Sequence, residues 1–227
     1  MRIALVLSGQ LRSFSEAFEY ISQNLLANNE VDVYFHTWCK NWNSAVVDKY
    51  KPKDYFVELD NLFGLFSECN YVSISPRHPP RNFFMMYRSI MMADLLRQNS
   101  SIEYDWIVRT RFDFALNKKI DFTTLSKDKM YFCNTSMNAE HTAMHDQFVV
   151  STPNDMSIYS SVYKNIDQYY SEGCLMNGED LLQHHFKKHN MFGKEKIDYL
   201  DLNPPFMHGQ YNYGKHSLIR TDMQNWL

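Results

Sequence analysis

Between Trp106 and Leu116 the chain reads WIVRTRFDFAL. In an extended segment Arg109, Arg111 and Asp113 alternate onto one side, and Trp106, Val108, Thr110, Phe112 and Phe114 share the other. A carboxylate at a strand end can ligate a hard divalent cation. One carboxylate is a weak site until a substrate diphosphate supplies further oxygens. Guanidiniums beside it suit diphosphate or carboxylate oxygens, which the planar fork bonds in pairs. The competing reading is an internal Arg–Asp salt bridge. Arg109 is then the structural partner, and Asp113, nearer the loop, is left for chemistry.

Four other stretches carry candidate chemistry. SGQLR (Ser8–Arg12) lies between an apolar run and a helical pattern, where backbone N–H groups can hold an anion or a base edge. Gly9 there lets a ligand approach closely. The stretch is neither a P-loop nor a G-x-G-x-x-G fingerprint, and a plain turn explains it too. In HTW (His36–Trp38) the ring of Trp38 can stack and His36 can hydrogen-bond, against a simple core role for both. GED (Gly178–Asp180) puts two acids in a helix's first turn, favoured by its dipole whatever else they do. A carboxylate there can also accept a hydroxyl proton as a general base. The tail from Met207 to His216 offers His208 to a metal and Lys215 to a phosphate, in a Gly- and Tyr-rich stretch that reads equally as a loose terminus.

These residues need a scaffold, and the pattern supplies one. IALVLS (Ile3–Ser8) is a continuous apolar run, the mark of a strand buried on both faces. Ser13 and Glu16 form an S-x-x-E capping box ahead of a helical stripe of Phe14, Ala17, Phe18, Ile21 and Leu25. Val31–Trp38 is a second strand, completing the strand–helix–strand grammar of a parallel sheet. Tyr55–Leu59 reads as a third strand. An apolar helix is expected from Phe83 to about Gln98, after the proline-rich loop Pro76–Arg81. Further strands are expected at Trp106–Val108, Lys129–Cys133 and Gln147–Ser151. The remainder reads as mainly helical, with Thr152 capping one helix ahead of Pro153 and Asp155, and Asn177 capping another. The pattern predicts one α/β domain with its chemistry at strand ends.

Composition narrows the classes. The chain has 227 residues, a net charge of −3 and 22% charged residues. No Lys/Arg-rich run is present, which argues against nucleic acid as a partner. No apolar run approaches the roughly 18–20 residues of a membrane-spanning helix. The first residues read as a strand, not a signal peptide. Cys39, Cys69, Cys133 and Cys174 are too widely spaced for a zinc or redox pair, and reduced thiols in a cytoplasmic protein are expected. The 15 Tyr and 16 Phe suit an aromatic core, with ring-stacking platforms as the sharper alternative.

The order of these motifs resembles that of the GT-A glycosyltransferases. LSGQLRSF, VDVYFHTW, YDWIVRTRFDF and HDQFVVST are similar, more narrowly, to lipopolysaccharide-synthesis and surface-glycan transferases of bacteria and large viruses, the WavE-like group among them. The resemblance runs from Met1 to about His208. It implies a mixed, mostly parallel sheet flanked by helices in a single domain, with a nucleotide-binding half over 1–115 and an acceptor and catalytic half over 116–227. It also implies transfer of a hexose from a nucleotide-sugar donor, a UDP-sugar foremost, to a glycan or lipid-linked hydroxyl, assisted by Mn²⁺ or Mg²⁺. The family's D-x-D motif falls on Arg111-Phe112-Asp113, so Asp113 becomes the metal carboxylate and Arg111 replaces the usual first Asp. Ser8, Gly9, Gln10 and Arg12, with His36, Thr37 and Trp38, then line the nucleotide pocket. Tyr87 and Arg88 face base and sugar. Asp180, with Glu179, is the catalytic base, Asp146 a second acid, His208 a late metal ligand and Lys215 a phosphate contact. A sugar nucleotidyltransferase and a non-catalytic nucleotide- or carbohydrate-binding module are the alternatives.

Overall fold

A computed structural model describes residues 1–39, 42–59, 80–133 and 146–202. Among them, seven strands form one sheet in the order β3-β2-β1-β4-β6-β5-β7. The strands are β1 (Arg2–Ser8), β2 (Glu30–Cys39), β3 (Asp54–Leu59), β4 (Trp106–Thr110), β5 (Met130–Cys133), β6 (Phe148–Ser151) and β7 (Ile197–Leu200). β1 pairs in parallel with both β2 and β4, and β2 with β3. β6 runs antiparallel to β4 and β5, while β7 is parallel to β5. The expected α/β class with a mixed, mostly parallel sheet is therefore present.

The apolar run of β1 fills both layers beside the sheet. Ile3, Leu5 and Leu7 enter one core with Phe14 and Ile21 of α1 (Phe14–Asn24) and Val46 of α2 (Ala45–Tyr50). Ala4 and Val6 enter a second core with Tyr87 and Ile90 of α3 (Pro80–Gln98). Tyr159 of α4 (Pro153–Ser160) and Leu181 and Leu182 of α6 (Gly178–Lys188) join that second core. A short 3-10 turn and α5 (Ile166–Ser171) link α4 to α6. Fully burying a large apolar side chain contributes about 1.5–3 kcal/mol, so these two layers fix the sheet and, with it, the strand ends.

The local start signals fared unevenly. Thr152 caps α4, its Oγ1 accepting from Asp155 N at 3.3 Å, with Pro153 at the first turn. Asn177 caps α6, accepting from Asp180 N at 2.8 Å. Ser13 occupies the N-cap position of α1 but makes no side-chain capping bond. Its backbone (φ −81°, ψ 40°) is not extended as a cap requires, and the Phe14 amide donates instead to Leu11 O at 2.9 Å. The helix expected from Phe83 begins at Pro80. The region after β6 is not wholly helical, because β7 adds an edge strand beside β5. Cys39, Cys133 and Cys174 form no disulfide with one another. Among the described residues no helix is long and apolar enough to cross a membrane.

Candidate functional site

β1, β2 and β4 end at the same side of the sheet: Ser8 is in register with His36, and Leu7 with Thr110. The reversed strand β6 starts there too. Thr110 pairs with Phe148, and Thr110 Oγ1 donates to Gln147 O at 3.2 Å. Reversal of one strand thus carries Asp146 to the end where Asp113 lies. α6 begins beside it. A Cβ built on Gly178 comes 3.2 Å from Asp146 Oδ2 and 3.5 Å from Met86 Cε, so only a glycine sits there without moving Asp146.

Alternation along RTRFD persists past the strand. Phe112 and Phe114 enter the same core as Trp106 and Val108. Phe112 is fully buried, edge-on to Phe35 at 5.5 Å, so its side chain faces away from the strand-end site. Asp113 is 1% exposed. Arg111 Nε donates to Asp113 Oδ1 at 2.8 Å and Nη2 to Oδ2 at 2.7 Å. Arg12 Nη1 donates to the same Oδ2 at 3.3 Å. A turn, closed by Phe114 N donating to Arg111 O at 3.3 Å, folds Arg111 back over Asp113.

The salt bridge expected of Arg109 is therefore made by Arg111 and Arg12. Arg109 itself is fully buried and, among the described residues, has no carboxylate partner. Its Nε and Nη2 donate to Ser8 Oγ at 3.0 and 2.8 Å. Nη1 donates to the Asp146 carbonyl and, at 3.2 Å, to Tyr159 Oη. It thereby joins β1, β4, the start of β6 and α4. A buried cation with only neutral partners is costly unless an opposite charge lies near.

The SGQLR turn is more committed than expected. Gly9 N donates to Ser89 Oγ at 3.0 Å and to His36 O at 3.3 Å, so that N–H is not presented to a ligand. Gly9 has φ +116°, and the space where a Cβ would stand is open. Arg12 has φ +35°, a left-handed conformation that costs a non-glycine residue about 1–2 kcal/mol. That kink aims Arg12 at Asp113, while its Nε donates to Gln10 Oε1 at 3.2 Å.

His36 belongs to a buried relay. Its Nδ1 lies 2.8 Å from Ser89 Oγ and its Nε2 3.4 Å from Glu58 Oε2. Arg88 grips Glu58 with Nε at 3.2 Å and with Nη2. His36 and Arg88 together hold the Glu58 carboxyl at about 2, against burial, which raises it. The His36 contact is long and off-line for a hydrogen bond, so the Arg88 fork is the firmer of the two. Burial lowers the His36 pKa despite Glu58, so its ring is neutral near pH 7. Arg88 is thus tied to Glu58, and fully buried Tyr87 donates to Gly178 O at 2.5 Å. Thr37 and Trp38 are also buried, and Thr37 Oγ1 has no hydrogen-bond partner among the described residues. Ser89 and Glu58 went unnoticed in the sequence. Their signals were a small polar residue on an apolar helix and an acid inside YFVEL.

Of the expected acids, Asp180 is tied to the helix cap: its Oδ2 accepts from Asn177 Nδ2. Glu179 is exposed as a residue. Desolvation of its carboxyl, then the charges of Asp146 and Asp180, raise its pKa above the ordinary carboxylate value. Asp146 and Glu179 accept no hydrogen bond from another side chain among the described residues. The site is therefore polarised: guanidiniums of Arg12, Arg109 and Arg111 lie at the ends of β1 and β4, and carboxyls of Asp146 and Glu179 lie at the starts of β6 and α6. His208 and Lys215 lie outside the described residues.

The expected divalent cation does not fit Asp113 in this arrangement. Both carboxylate oxygens are engaged by guanidiniums, whose charges repel a second cation. Arg111, at the position where the resemblance expects the first Asp, supplies a guanidinium in place of a carboxylate. Among the described residues no three His, Cys, Asp or Glu side chains come together as a metal group.

No protein-family model and no curated protein matches the chain.

Proposed function

We propose that this chain is a GT-A-type glycosyltransferase that takes a nucleotide-sugar donor, a UDP-hexose foremost, and passes the sugar to a hydroxyl of a glycan or lipid-linked acceptor. The observation carrying this reading is the facing of guanidiniums and carboxyls across one strand-end site. Parallel sheets place their ligands at such ends. A single reversed strand that brings an acid opposite the RTRFD turn accords with the motif order in the sequence.

The chemistry divides between the two sides. The guanidiniums favour a diphosphate, whose negative charge grows as its bond to the anomeric carbon breaks. The acceptor oxygen attacks that carbon in a single displacement, the electron pair leaves on the diphosphate oxygen, and the hydroxyl proton passes to a carboxylate. Asp146 and Glu179 suit that last role better than Asp180, whose carboxylate already closes the α6 cap. Of the two, Asp146 is the better-anchored, because Arg109 grips its backbone carbonyl.

The test is nucleotide release from a panel of nucleotide sugars, with and without simple sugar acceptors. Release is expected with at least one donor and is lost in Asp146→Asn. Tight nucleotide binding without turnover of any donor would instead identify a binding module. Full activity in Asp146→Asn would remove that residue from the chemistry.

A further inference from the structure

We infer that the turn between α6 and β7, together with the last turn of α6, docks on an anionic bilayer surface, with Phe192 entering the headgroup layer between flanking lysines. The inference goes beyond the sugar-transfer reading and does not depend on it, because this surface lies away from the strand-end site.

Residues 187–196 read KKHNMFGKEK, four lysines against one glutamate in a chain whose net charge is −3. The lysines form no run. They stand on either side of Met191 and Phe192, a charged rim around an apolar tip, which suits a membrane interface better than a nucleic-acid backbone. The tip is in water: Phe192 is 37% exposed, and the Lys187 ammonium stands 5.1 Å from its ring centroid. Gly193, at φ +145°, closes the turn beside it. Its carbonyl accepts from Lys196 N at 3.0 Å and from Ile197 N at 2.9 Å, which holds ring and lysines on one short turn.

Much of the lysine charge is unspent. Lys188 is paired with Glu172, which also meets His184 at 2.8 Å. Lys187 donates to the neutral Gln183 Oε1 at 3.1 Å. Lys194 and Lys196 make no ion pair among the described residues. Of the acids nearby, Asp198 holds Lys129 at 3.0 Å. The Glu195 carboxylate folds back over Gly193, filling the space where a Cβ would stand. Lys187, Lys194 and Lys196 therefore exceed Glu195 by two charges. Topology sets the orientation. α6 begins beside Asp146 and ends eleven residues later, about 16 Å away. β7 is parallel to β5, and β5 antiparallel to β6, whose start lies at the site, so β7 starts at the far end of the sheet. The lysine turn meets the bilayer there while the strand ends face away from it.

The test is flotation of the full chain with liposomes of phosphatidylcholine alone and of phosphatidylcholine with about one-third phosphatidylglycerol. Each lysine near an anionic surface multiplies partitioning by about fivefold, so two excess charges should favour the anionic liposomes by about 25-fold. High salt should erase that preference. Lys194→Gln combined with Lys196→Gln should reduce binding to the level on neutral liposomes. Phe192→Ala should weaken binding to anionic liposomes by about fivefold. Circular dichroism of both variants checks folding, and Phe192→Leu, which keeps an apolar tip, should retain binding. Equal flotation on both liposomes, flotation on neither, or unchanged flotation in the lysine variant or in Phe192→Ala overturns the inference. Binding to single-stranded RNA as tight as to anionic liposomes, unaltered by Phe192→Ala, marks a polyanion site and overturns it as well. Sugar transfer assayed without liposomes should be the same in every variant, so the two readings fail separately.

Discussion

Replacing Glu58 by glutamine removes one charge from the relay that runs Gly9–Ser89–His36–Glu58–Arg88, and the size of the effect follows from the burial of that charge. Glu58 is 4% exposed, and its carboxyl is held at about 2 against an ordinary 4.5. That difference corresponds to about 3 kcal/mol of stability at neutral pH. The folded value lies below the unfolded one, so this stability is fully present above about pH 5 and is lost as pH falls toward 2. Between pH 5 and pH 3 the contribution should shrink by about 2 kcal/mol. Glu58→Gln has no such carboxyl. Urea unfolding of both proteins, at matched m-values, should therefore give a stability gap of about 3 kcal/mol at pH 7 that closes to about 1 at pH 3. Other titrating groups are common to both chains and cancel in the difference to first order. A gap that stays constant between pH 5 and pH 3 refutes the reasoning, because Glu58 would then not be an ionised anchor.

Gly178→Ala should leave stability within about 1 kcal/mol, since alanine is the better helix former. The new methyl must push Asp146 Oδ2 from 3.2 Å, and sugar transfer should fall by about tenfold with an unchanged melting temperature; an unaltered rate would remove Asp146 from the reacting geometry. Arg109→Lys cannot reach Ser8 Oγ, Asp146 O and Tyr159 Oη with one ammonium, and should cost about 1–3 kcal/mol in chemical denaturation. His185 is fully buried between Tyr169 Oη at 2.6 Å and Ile158 O at 2.8 Å. Burial pushes its pKa down to about 4, so the folded state resists protonation and the protein should lose stability as pH falls from 6.5 to 4. His185→Phe should flatten that segment of the thermal melting profile, and an identical profile would refute the assignment.

Sequence pattern reached the scaffold further than the site. The βαβ opening, the Thr152 and Asn177 caps and the alternation of Trp106, Val108, Phe112 and Phe114 were legible because each depends on spacing within one element. β7 was not, because IDYL is a half-buried edge strand in which only Ile197 is buried, and so it lacks an apolar run. Arg109, Arg111 and Asp113 were read as one alternating set, and their pairing was misread. Which guanidinium reaches Asp113 depends on a turn after Thr110 and on Arg12, 101 residues earlier. Tyr87 and Arg88 show the same limit: adjacent on α3, they are drawn to Gly178 and Glu58 by tertiary neighbours that no local period encodes.

The position of β1 in the sheet has a consequence for biogenesis. Its outer partner β2 follows after one helix, but its other partner, β4, begins at Trp106, beyond β3 and α3. A nascent chain that has formed β1, β2 and β3 therefore presents one bare edge whose residues Ile3 to Leu7 are all apolar. Such an edge is a template for pairing with another chain. Overexpression that outpaces synthesis of α3 and β4 should drive the protein into inclusion bodies, and slower translation or trigger-type chaperones should recover it, although the finished sheet leaves that strand wholly enclosed.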